Sequence, residues 1–121
     1  MQLTGGGSAI SRGGIIMADN LFWRNACGRL TFSMGRSPAD SYRSICKEVV
    51  AEFGLVRKSD LVTDFLAIVF QEYYRDEQIV GLEWDNWMGY AVVAHTAESE
   101  SLVQDIGDWL LQSNWATEGE P

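Results

Sequence analysis

The chain is short of histidine, cysteine, proline and, beyond residue 59, basic residues. It holds one histidine, two cysteines and two prolines, and Arg75 is the single base after residue 59. Each scarcity excludes something. A zinc site needs about four ligands from Cys, His and carboxylates. Cys27, Cys46 and His95 show none of the short paired spacings such sites use, so no metal is expected. Two cysteines are too few for a disulfide framework. No apolar run approaches the ~20 residues that span a bilayer, and no basic start leads into an apolar run of signal-peptide length. These absences predict a cytoplasmic protein with reduced thiols and no membrane contact. Gly5 to Gly7 are not followed by Lys-Ser or Lys-Thr at the spacing of a phosphate loop, and no cofactor is expected.

The charge is unevenly placed. Residues 1–59 carry eight Lys or Arg against four acids, a net of +4, whereas residues 60–121 carry Arg75 against thirteen acids, a net of −12. An acidic half repels phosphate backbones, so direct nucleic-acid binding is not expected. The same half would speed encounter with a basic protein.

The length of 121 residues suits one domain. Residues 1–16, rich in Gly and Ser, read as a flexible tail. Residues 17–115 read as a single globular domain, and 116–121, ATEGEP, as a loose acidic tail. Residues 29–35 alternate Leu30, Phe32 and Met34 with polar residues, the pattern of a strand with one buried face. Residues 37–53 predict a helix, with Ser37 as cap, Pro38 at the first position, Asp40 closing a capping box and Gly54 just past the end. Residues 78–85 and 87–95 read as a hairpin turning at Asp85-Asn86. Residues 97–112 predict a second helix, capped by Thr96 or Ser99 and interrupted only by Gly107.

Residues 59–75 are harder. FLAIVF, residues 65–70, is apolar throughout and could be a buried strand. The helical wheel divides the segment into a polar and an apolar side, with Glu72 alone clearly out of place, and its length favours a helix. The fold expected is therefore α+β. A small antiparallel sheet, with strands near 29–35, 78–85 and 87–95, carries two to three helices over 37–53, 59–75 and 97–112.

His95 could act as a base oriented by a carboxylate, or mark a pocket, but no nucleophile motif accompanies it. No catalytic residue is assigned, and a binding protein is expected rather than an enzyme. In GLEWDNWMGY, residues 81–90, Trp84 and Trp87 read as an aromatic pair across a two-residue turn, or as one core and one exposed tryptophan. Trp115 is a further candidate for an exposed anchor. The leading expectation is a small module of the immunity, antagonist or adaptor type that offers its acidic C-terminal half to a basic protein. Asp76, Glu77, Glu83 and Asp85 would steer the encounter and Trp87 would anchor it. The alternative is a small-molecule site near His95. A homo-oligomer through the apolar arc of 59–76 is also open.

Overall fold

The computed structural model describes residues 20–35, 37–64 and 68–118, so the glycine-rich segment 1–16 lies outside it. Along the chain run β1 (Asn20–Arg24), β2 (Leu30–Met34), α1 (Tyr42–Phe53), β3 (Val56–Arg57), β4 (Val62–Thr63), β5 (Ile68–Arg75), β6 (Gln78–Asp85), β7 (Gly89–Ala94), α2 (Glu100–Leu111) and α3 (Asn114–Glu118). The strands form one sheet in the order β1-β2-β7-β6-β5-β3, with β4 also on β5, and every pairing is antiparallel. The α+β class is as expected, but the sheet has seven strands and is not small.

Both long helices pack on one face. Phe32 and Met34 of β2, Val80 and Leu82 of β6, and Tyr90, Val92 and Ala94 of β7 point toward Tyr42, Ile45, Cys46 and Val49 of α1 and Leu102, Val103, Ile106 and Leu110 of α2. Burying a Val, Leu, Ile or Phe side chain stabilises by about 1.5–3 kcal/mol, so this layer dominates the fold. Cys46 is a small core residue, as its place on the helix face implied, and its thiol lies 3.5 Å from the Tyr90 hydroxyl. Gly107 lets α2 come close to the sheet, because a Cβ there would lie 2.5 Å from the Phe22 ring.

The helix expected over 59–75 is not formed. Val62–Thr63 and Ile68–Arg75 are strands, and β5 pairs with β6 along its whole length. The wheel misled because β5 is apolar on both faces. Val69 and Tyr73 point to the helices, while Ile68, Phe70 and Tyr74 point away, which erases the period of two. The outer edge of β5 is closed in pieces by β3 and β4. Between them Lys58 N donates to Glu72 O at 2.8 Å, and Glu72 N donates to Ser59 Oγ at 3.0 Å.

Ser37 does not cap α1. A 3-10 turn, Ala39–Ser41, precedes the helix, and no side chain caps either element. The Ser37 hydroxyl donates to Met34 O and accepts from Tyr90 N, each at 2.8 Å, which joins the end of β2 to β7. Gly54 does end α1, in the left-handed conformation at φ 65°. A 3-10 turn, Ala97–Ser99, also precedes α2; it opens at Thr96, whose N donates to Ser99 Oγ at 3.2 Å, and no side chain caps α2 itself. Residues 114–118 form α3, and Ala116 is buried.

The tight two-residue turn also lies elsewhere than expected. It is Asp76-Glu77, between β5 and β6, with Asp76 at φ 55°. The β6–β7 loop has three residues, Asn86 to Met88. Asp85 Oδ1 holds it by accepting from Trp87 N at 2.9 Å and Met88 N at 2.6 Å. Gly89 then takes φ 67°, and a Cβ on it would run into the carbonyl oxygen of Met34. An alanine there meets both a backbone clash and a strained φ, so Gly89→Ala should cost roughly 3 kcal/mol. Gly28 has a φ of 78° but nothing within 4 Å of a Cβ. Gly28→Ala should cost only about 1 kcal/mol. Urea unfolding of the two variants checks the order.

Candidate functional site

The face of the sheet away from the helices carries no helix among the described residues. Register assigns its side chains. Leu21 and Trp23 come from β1, Thr31 and Ser33 from β2, and Ala91 and Val93 from β7. Gly81, Glu83 and Asp85 come from β6, and Phe70, Glu72 and Tyr74 from β5. The central side chains are small, so the surface dips between larger ones. Trp23 closes one side, its Nε1 donating to Ser33 Oγ at 2.8 Å. The result is an open depression of about 450 Å³ lined by Trp23, Arg29, Glu83, Asp85, Val93 and His95, among others.

His95 follows the last residue of β7 and extends its ladder, with His95 N donating to Ile79 O at 3.0 Å. Its ring turns across β6. Nδ1 lies 2.7 Å from Glu72 Oε2 on β5, and Nε2 lies 4.0 Å from Glu83 Oε2. Gly81 makes this crossing possible. It pairs with Glu72 on one side and Val93 on the other, and a Cβ on it would lie 2.7 Å from His95 Nε2. Glu83 and Glu72 together raise the imidazole pKa above its usual value, against the opposing effect of desolvation. Both ring nitrogens face carboxylates, which favours the doubly protonated ring. A general base needs a free lone pair in the neutral range, so the arrangement suits a charge-compensated contact better than proton abstraction.

The residues singled out from sequence do not form one cluster. Glu83, Asp85 and His95 share the depression. Trp87 stands beside it in the β6–β7 loop, 73% exposed. Asp76 and Glu77 occupy the opposite end of β6, roughly 25 Å away along eight residues of strand. Trp84 and Trp87 are not a cross-strand pair. Trp84 lies opposite Tyr90, packs on the core and donates from Nε1 to Ser37 O at 2.9 Å. Trp115 is no free anchor, because it packs on the core and donates from Nε1 to Glu48 Oε1 at 2.9 Å.

Sequence reasoning missed Glu72, Gly81 and Trp23. One signal for Glu72 was present, since it was the residue that fitted the helical wheel worst. Among the described residues, no three of His, Cys, Asp and Glu are grouped to hold a metal ion. No helix of the described residues is long and apolar enough to cross a membrane. No family model, curated protein or solved structure matches the chain.

A histidine whose folded pKa is raised stabilises the fold fully below its unfolded pKa of about 6.5. That contribution is lost as pH rises through the folded pKa. Unfolding free energy should therefore fall as pH rises above 6.5, by less than about 1 kcal/mol because water screens a half-buried pair. Urea titrations at a series of pH values should show this step in the native chain and not in His95→Gln. In Gly81→Ala the ring must move, and NMR titration should find the His95 pKa lower than in the native chain.

Proposed function

We propose that the chain is a small protein-binding module that receives a basic partner on the open face of its sheet. The observation that supports this most is the composition of that face. Leu21, Val56, Val62, Ile68 and Tyr74 are exposed there, and they are five of the seven large exposed hydrophobics among the described residues. Glu72, Glu83 and Asp85 lie among them. Exposed apolar surface set around charge is the usual make-up of a recognition surface. Glu83 and Asp85 steer the partner, and Trp87 anchors it from the hairpin loop. Asp76 and Glu77 contribute only to the long-range field, since they stand at the far end of β6. The setting we propose is the cytoplasm, with Cys27 and Cys46 as free thiols.

A second reading draws support from the depression beside His95, whose size is that of a small-molecule site. Its width and openness to solvent favour a flat macromolecular contact instead. A homo-oligomer through 59–76 would now have to use strand residues, Val62, Ile68 and Tyr74, in place of a helix.

Light scattering behind size exclusion should give a monomer near 13.5 kDa at low and high salt. A dimer that survives high salt would assign the open face to a second copy. Capture from cell extract should then recover basic proteins, with recovery reduced about tenfold by the double change Glu83→Lys and Asp85→Lys, and reduced also by Trp87→Ala. Recovery unchanged in all these variants would refute the reading.

A further inference from the structure

The opposite side of the molecule holds a second concavity of different character. It lies on the helix side of the sheet, where β5 and β3 extend past α1. Its volume is about 500 Å³. Arg43 and Lys47 overlook it from α1, and Arg57 from β3, where it pairs with Tyr73. The floor is Cys46, Gln71 and Tyr73, and Val50 and Leu61 supply apolar walls.

Among the described residues no acid lines this groove, although the chain has seventeen acids and nine bases. Arg43, Lys47 and Arg57 make no salt bridge among the described residues. Arg43 and Lys47 stand four apart on one helix, a like-charged spacing that weakens a helix. Three cations thus line one groove, none of them paired with an acid among the described residues. The floor is already arranged. Tyr73 Oη donates to Gln71 Oε1 at 2.9 Å, and Gln71 Nε2 donates to Ser59 O at 2.9 Å. The polar atoms of Gln71 therefore have partners, and the cations are the donors left for a ligand. A smaller depression of about 370 Å³ continues the groove past Tyr42, Arg43 and Leu61 to Thr63 and Val69, with Asp40 at its rim.

We propose that this groove binds a small organic phosphate monoester. A phosphate monoester carries a charge of about −1.5 to −2 at neutral pH, which matches three cations better than a single carboxylate does. The planar guanidinium groups of Arg43 and Arg57 suit its oxygens in a two-bond geometry. Val50, Leu61 and the Tyr73 ring take the organic body. The net charge of −8 disfavours a polyanion. The occupant is therefore one dianionic group and not a nucleic-acid backbone. This site is separate from the open face and stands whether or not the open face binds protein.

The test is an amide NMR titration of the full chain with phenyl phosphate, inorganic phosphate and a short single-stranded DNA. Phenyl phosphate should give saturating shifts at Ala51, Arg57, Leu61 and Tyr73, and should bind at least about fivefold tighter than inorganic phosphate because its ring adds apolar contact. Arg43→Gln and Arg57→Gln should each weaken it about tenfold. Arg29→Gln, on the other face, should leave it unchanged. All three residues are exposed or nearly so, and the remaining resonances report that each variant is folded. Shifts that do not saturate, binding that survives both substitutions at the groove, or tighter binding of the DNA would overturn the proposal.

Discussion

The layer of Phe32, Ile45, Leu82, Val92 and Ile106, with no exposed surface on any of the five, is the contact from which the rest of the molecule follows. It draws both long helices to the same side of the sheet. α2 settles over β2 and β7, α1 over β6, and the two meet where Phe53 and Trp109 make an edge-to-face contact at 5.8 Å. Two helices cannot span seven strands. The sheet therefore overhangs α1 at β5 and β3, and no helix among the described residues covers its other face. Both concavities are consequences of that mismatch in area. One is the overhang, and the other is the uncovered face.

The two concavities differ in charge because they draw on different parts of the chain. The overhang is built from α1 and β3, which lie in the half of the chain that carries the excess of bases. The uncovered face near the β6–β7 hairpin takes its carboxylates from β5 and β6, in the acidic half. Folding keeps most of this segregation, although Arg29 joins Glu83 and Asp85 in the lining of the depression on the uncovered face. One of the contacts between the halves is an ion pair. Arg24 of β1 meets Glu100 of α2 at 2.8 Å, and the same carboxylate accepts from Leu30 N at 3.2 Å. At such exposed positions the pair orients more than it stabilises.

Elements with one buried and one wet face were legible in the sequence. β2, the β6–β7 hairpin, α1 and α2 each write their orientation as a period of two or of 3.6, and each lies within a few residues of its expected place. β5 was not legible because neither of its faces is polar enough to mark it. The site suffered the same loss. Glu83 and Asp85 could be read from the hairpin, but Glu72 was assigned to the wrong kind of element, and its contact with His95 depends on strand register. Gly81 carries no chemical signal of its own and matters only for the ring that lies over it. Gly107 looked like a flaw in a helix and is where α2 comes nearest Phe22. The turn signals were sound chemistry placed at the wrong end of β6. Asp85 does organise a turn, through its side chain, but the positive φ of the tight turn falls on Asp76.

The outer edge of β5 sets how other chains can approach. Two strands of two residues each, with Ser59 bonded between them, occupy the backbone groups that a passing strand would otherwise use. Short, interrupted edges of this kind discourage the end-on growth of sheets into fibrils. The chain can therefore keep a broad apolar face without offering this edge as a template for polymerisation. A visitor at that side must lie flat across the strands, held by side chains, and cannot lengthen the sheet.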